Sequence, residues 1–187
     1  LRSNSDKCAD RTSDGFAAIR DLSQTVEGRQ TLNDKFKLSP AWTEETEISP
    51  EDMQEFFQNL YGNYQGVVQY SNDNNAAGVY TVDALCAIVV DDVKYPDPVD
   101  AVRAVQVYVY DGDDTIETGT SFDEDINYLK GMLDSIADGG TYDDNSLAGI
   151  LWTWQTCNEF GYYQTTDYGT GLFGNPVPLN FFVKMCE

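Results

Sequence analysis

The sequence predicts a mainly α fold, a helical bundle followed by a more irregular, aromatic-rich final third. Three observations lead there. Apolar residues recur at intervals of three and four over several long segments. Helix-start combinations stand before such segments at Ser49-Pro50-Glu51-Asp52, at Thr81 and at Ser121. Evidence for strands is thin, and no tandem repeat or low-complexity linker interrupts the chain. A length of 187 residues suits one domain, or two small ones, with a real core. The aromatic content of 13% argues against disorder.

The first helix is expected from about Asp6 to Thr25, where Cys8, Phe16, Ile19 and Leu22 recur at helical spacing, with a short continuation from Gly28 to about Phe36. The second clear start is Ser49. It can cap, Pro50 suits the first helical position, and Glu51 and Asp52 complement the positive end of the dipole. The broad stripe of Met53, Phe56, Phe57, Leu60, Tyr61, Tyr64, Val67 and Val68 makes this helix central, ending near Tyr70. Thr81 caps a segment through Val82, Leu85, Cys86, Val89 and Val90, although its β-branched content leaves a strand open. Val99 to Tyr110 is double-natured. Val102 and Val105 keep helical spacing, Val105, Val107 and Val109 alternate as in a strand, and helix is favoured. Ser121 starts a helix to about Ile136 with Ile126, Leu129, Met132 and Leu133 on one face. A Gly-rich acidic loop, Asp138 to Asn145, leads into the most aromatic part of the chain.

The ionisable residues exclude several functions. Thirty-two acids face eleven bases for a formal charge of −21, so a phosphate backbone would be repelled and nucleic-acid binding is not expected. No histidine occurs, which removes a Ser-His-Asp triad, a Cys-His pair and a histidine-based zinc site from within the chain. The acids concentrate after residue 37. Their simplest role is a solvated face suited to an acidic compartment. A cation or amine site would need converging carboxylates, which spacing alone does not reveal.

No apolar run near ~18 residues could span a membrane. Starting at Leu1-Arg2 without an initiator Met, the chain reads as a processed piece. Cys8, Cys86, Cys157 and Cys186 lack C-x-x-C spacing and histidine partners, so two disulfides fit better than a metal site, four buried thiols being the alternative. Asp73, Asn75 and Gly78 match positions 1, 3 and 6 of a calcium loop, but Ala77 and Ala84 stand where ligands are required. Asp111-Gly112-Asp113-Asp114 is a turn and a weak cation candidate. Gly169, Gly171 and Gly174 lack the strand and lysine of a phosphate cradle, and no Gly-x-Ser-x-Gly elbow occurs.

The most distinctive run is Trp152-Thr153-Trp154-Gln155-Thr156-Cys157-Asn158-Glu159, extended by Phe160 to Thr166. Dense aromatics with interspersed amides and hydroxyls suit either an apolar pocket wall or simple core. The run resembles the Trp-Ser/Thr-Tyr-Gln-Thr/Ala-Cys-x-Glu signature of the lysosomal Pro-Xaa carboxypeptidase and dipeptidyl-peptidase II family of serine peptidases, and its extension looks most like the thymus-specific serine protease and nematode branches. Glu55 to Gly62, Gly66 to Tyr70, Thr81 to Cys86 and Asn175 to Phe182 agree in order. Trp154 and Val177 depart from the pattern while keeping apolar bulk.

This resemblance implies an α/β-hydrolase peptidase whose serine elbow precedes the matching region and whose Asp and His follow it, with a helical lid between. The chain would supply that lid as residues 1–145, and an aromatic connection returning towards the hydrolase core as residues 146–187. The resemblance pairs Cys8 with Cys86 and Cys157 with Cys186. It places Tyr162 against the proline ring of a substrate, with Trp152, Glu159 and Tyr163 as further pocket residues, and it points to Asp138, Asp143 and Asp144 for reading a free substrate amine. The implied partners are peptides with proline near a terminus and the hydrolase core of the same parent chain, in a secreted or lysosomal setting, with no cofactor, metal or membrane. A different class stays open: a non-catalytic, secreted, acidic helical binding module using the same aromatic pocket.

Overall fold

A computed structural model describes residues 1–71, 80–141, 144–167 and 171–187. Eight α-helices run through them: α1 (Asp6–Ser23), α2 (Val26–Phe36), α3 (Pro50–Tyr70), α4 (Val82–Val89), α5 (Pro98–Val109), α6 (Phe122–Ala137), α7 (Asp144–Gln155) and α8 (Leu179–Met185). A π-helical turn, Thr156–Phe160, continues α7 directly. Two-residue strands, β1 (Leu38–Ser39) and β2 (Thr118–Gly119), form a short parallel pair. The mainly α reading holds, and both double-natured valine segments are helices.

Local chemistry starts most of these helices. Ser5, Thr25, Ser49, Thr81, Asp97 and Ser121 each accept a backbone N–H of the first turn, supplying a partner that the helix itself cannot. Thr25 separates α1 from α2, and its hydroxyl takes the Gly28 N–H at 3.0 Å. In α5 the buried residues are Val99, Ala101, Val102, Val105 and Gln106, a stripe of helical period, so packing of that face overrides the β preference of the valines.

The core lies among α1 to α5. Phe16 and Ile19 of α1, Leu32 and Phe36 of α2, Phe56, Phe57, Leu60 and Tyr64 of α3, Leu85 and Val89 of α4 and Val102 and Val105 of α5 form one buried cluster. Phe16 meets Tyr64 edge-on at 5.5 Å between ring centres, and Phe36 meets Phe56 likewise at 6.1 Å. Arg11 lies across the end of α4, donating from Nε to the Val89 carbonyl and from Nη2 to that of Tyr95. Thr118 Oγ1 donates to the Phe36 carbonyl and accepts from Gln106 Nε2 at 2.9 Å, which ties β2 to α2 and α5. Cys8 is bonded to Cys86, joining α1 to α4, and Cys157 to Cys186, joining the π-helical turn to the end of α8.

The final third is more ordered than its composition suggested, because α7, the π-helical turn and α8 occupy much of it. Its packing differs from that of the bundle. Of α6 only Met132 is buried, whereas Leu133 is exposed. Leu151, Trp152, Trp154, Phe160, Tyr162, Leu179 and Val183 are also exposed. Val177 and Phe181 instead reach into the main cluster. Thr166 holds that return: its Oγ1 donates to the Val177 carbonyl and accepts the Val177 N–H at 2.8 Å.

Candidate functional site

Helix α3 forms the floor of the site. Glu55 follows the Pro50 start by little more than a turn, on the flank next to the buried Phe56, and is itself only 6% exposed. Asn59, one turn later, donates from Nδ2 to Glu55 Oε1 at 2.8 Å and to the Gly119 carbonyl at 3.1 Å. Helix α6 is set beside α3 by Asp52, whose Oδ1 accepts the Phe122 N–H at 3.0 Å. That attachment lays Asp125, half-buried, along the same flank.

Between α3 and α6 lies a cavity of about 310 Å³. It is lined by Glu55, Gln58 and Asn59 of α3 and Asp125 of α6 together with Trp152, Thr153, Thr156, Tyr162, Tyr163, Gln164, Phe182 and the Cys157–Cys186 bond. The aromatic residues are held by specific geometry. Gly161 ends the π-helical turn in the left-handed conformation, and its N–H reaches the Thr156 carbonyl at 2.9 Å, so the chain reverses before Tyr162. Tyr163 stacks on Phe182, with ring centres 5.7 Å apart. Gln164 Nε2 donates to Gln69 Oε1 of α3 at 2.7 Å. Trp152, Tyr162, Tyr163 and Gln164 also face an open groove of about 860 Å³ lined by Tyr61, Val68, Leu172 and Phe173. One aromatic wall therefore serves two adjoining spaces.

The electrostatics are uneven. Burial pushes the Glu55 carboxyl up to about 7, helped by the negative charge of Asp125 and, less, of Asp52, while the Asn59 hydrogen bond opposes the shift. Burial also raises Asp125 above the usual carboxylate range. Among the described residues no lysine or arginine lines this cavity. Lys184 of α8 pairs instead with Glu51, whose carboxyl it lowers.

Three of the four expected pocket residues, Tyr162, Trp152 and Tyr163, share the wall of the cavity. Glu159 lies exposed on the π-helical turn and lines neither space. Asp138 is exposed at the C-terminal end of α6. Asp143 lies outside the described residues; Asp144 opens α7. Asp73, Asn75, Ala77, Gly78 and Gly169 also fall outside them. The Asp111–Asp114 run is a turn in which Asp113 Oδ1 accepts from both the N–H and hydroxyl of Thr115, and the Tyr80 hydroxyl donates to Asp111. No cluster of three or more metal-ligating side chains occurs among the described residues. Nor is any helix there long and apolar enough to cross a membrane.

Sequence reasoning missed Glu55 and Asp125. A signal existed for the first, since a carboxylate beside the aromatic stripe of a central helix has an unusual address. Nothing local marked the second.

The family model for serine carboxypeptidase S28 matches residues 1–187. The chain is 32% identical, over its whole length, to the Caenorhabditis elegans protein "Putative serine protease F56F10.1". It is 29% identical over 98% of its length to a second protein of that organism, "Putative serine protease K12H4.7". It spans about a third of the length of each relative, 34% in both cases. No solved structure matches. A family model that matches every residue and a relative 32% identical over the whole chain agree: the chain belongs to the serine carboxypeptidase S28 family of peptidases.

Proposed function

We propose that this chain is the helical lid of a serine exopeptidase that cleaves next to proline, shaping substrate choice while the nucleophile, Asp and His come from an α/β-hydrolase core of the same parent chain. Residues 1–145 form the lid proper, and residues 146–187 return towards that core. The observation that carries the reading is an aromatic wall of the exposed Trp152 and Tyr162 with the half-buried Tyr163, which lines both a cavity and an open groove. A flat tyrosine ring suits a proline ring by stacking, and a wall exposed in isolation suits a surface that another part of the protein covers. The lack of histidine and the coverage of one third of the relatives' length support the same division of labour. Two disulfides and the acidic surface suit a secreted or lysosomal setting.

A fluorophosphonate probe tests this directly, because it labels activated serines. The full-length parent protein should label and should cleave proline-adjacent peptides, with the 187-residue chain remaining unlabelled. A full-length protein that neither labels nor cleaves would leave the acidic binding module as the better account.

A further inference from the structure

The two disulfides differ in where they lie. Cys8 and Cys86, 0% and 4% exposed, belong to the core of α1 to α5, whereas Cys157 is half-buried and Cys186 is exposed. An exposed disulfide is open to attack by an outside thiol, and a buried one is shielded until the fold around it opens. The exposed bond is also part of the site. Cys157 and Cys186, with Thr153 and Met185, line both the cavity of about 310 Å³ and a neighbouring pocket of about 210 Å³, where Ile126, Leu129 and Trp154 join them.

What the bond holds together follows from the surrounding packing. Helix α8 has other anchors, since Phe181 is buried in the main cluster and meets Phe122 edge-on at 5.4 Å, and Lys184 pairs with Glu51. The π-helical turn has fewer, because of its five residues Thr156 alone is buried. The aromatic run that follows it rests on α8: Tyr163 stacks on Phe182, and its hydroxyl lies 3.4 Å from Cys186 Sγ. Opening the bond would leave α8 seated and free the turn, with Tyr162 and Tyr163 then held by that stack and by the Gln164–Gln69 hydrogen bond.

We infer that Cys157–Cys186 is a reducible latch: a dithiol reductant opens it selectively, releases the π-helical turn from α8 and loosens the aromatic wall, while Cys8–Cys86 keeps the bundle closed. The chemistry is thiol–disulfide exchange. A thiolate of the reductant attacks the exposed Cys186 Sγ and forms a mixed disulfide as the Cys157–Cys186 bond breaks. The electron pair of that bond leaves with Cys157, which takes up a proton. The second thiolate of the reductant then attacks the reductant sulfur of the mixed disulfide, and Cys186 departs and is protonated in turn. Two electrons and two protons have passed to the protein, and the dithiol has become a disulfide. The latch itself stands apart from the peptidase reading; its effect on turnover rests on that reading.

The test treats the full-length protein with dithiothreitol under native conditions, followed by thiol alkylation and peptide mass analysis. Cys157 and Cys186 should be alkylated at least about tenfold faster than Cys8 and Cys86. Selectively reduced protein should show amide exchange raised roughly tenfold in residues 156–164 with α1 and α5 unchanged, and reoxidation should reverse the change. Cys157→Ser with Cys186→Ser should show the same raised exchange and no response to the reductant. On proline-adjacent peptides, reduction should alter KM by roughly threefold or more while fluorophosphonate labelling persists. Equal alkylation of all four cysteines, a Cys157–Cys186 bond that resists reduction until the whole protein unfolds, unchanged exchange after selective reduction, or an unchanged KM in a protein that labels would each overturn the inference. Fluorophosphonate labelling alongside any of those results leaves the peptidase reading standing. Selective reduction with raised exchange and no labelling in either state overturns that reading and leaves the latch.

Discussion

Gly15 of α1 and Val102 of α5 are in such close approach that a methyl group added at Gly15 would lie 2.7 Å from Val102 Cγ2 and 2.9 Å from the Pro98 carbonyl oxygen. Those distances are below any normal contact, and one obstacle is backbone at the start of a helix. Gly15→Ala should therefore push α1 from α5 and destabilise the bundle by about 1–3 kcal/mol, outweighing the gain in helix propensity. Chemical denaturation would measure this. Gly62→Ala is the control, since a methyl group added there would meet nothing within 4 Å.

Acid should stabilise the chain. The folded state raises Glu55 from an ordinary carboxylate value to about 7, so between roughly pH 4.5 and 7 the folded state holds a proton that the unfolded state has lost. Stability from this group is full below about pH 4.5 and falls as pH rises through 7, by at most about 3 kcal/mol. Asp125, raised as well, acts in the same direction. Denaturation midpoints should drop from about pH 5 to about pH 7.5 in the wild type and drop less in Glu55→Gln. A flat or rising wild-type profile would contradict the burial of Glu55.

How far the fold was legible depended on whether each signal was local. Helix α3 was readable because its cap, its Pro50 and its stripe are contiguous. Helix α5 was readable only in part, since its valines satisfy two periods and the choice falls to packing against α1. Helices α7 and α8 were not anticipated. Apolar residues of α7 are largely exposed, so its pattern lacks the contrast of a buried stripe, and the first N–H of α8 is taken by Asp167 Oδ2, twelve residues upstream. The site divides the same way. Its aromatic wall is one continuous run, whereas Glu55 and Asp125 meet only after α6 folds back onto α3.

Removing the second disulfide should loosen the aromatic wall. Cys157 and Cys186 are separated by 29 residues, and closing such a loop contributes on the order of 3–4 kcal/mol in the loop-entropy model. The double change Cys157→Ser with Cys186→Ser should lower stability by that order and increase amide exchange in α8 and the π-helical turn more than in α1 or α5. Uniform exchange throughout would show that the bond supports the whole bundle instead.

Thr166 anchors the return of the chain through both polar groups of Val177. Thr166→Val keeps the side-chain shape and removes the hydroxyl, leaving the buried Val177 N–H without its partner. A loss of about 1–3 kcal/mol is expected, read by thermal denaturation. Thr166→Ser should restore most of it, which a purely steric role for the residue would not allow.

The two disulfides follow one another along the chain without nesting or crossing. During synthesis from the N-terminus, Cys8 and Cys86 therefore become available to each other before Trp152 or anything after it exists, and neither Cys157 nor Cys186 competes for them. The covalent frame of the first helices can be completed on its own schedule. Among these four cysteines, the order of appearance therefore favours the first pairing before the segment bearing the aromatic wall can be cross-linked.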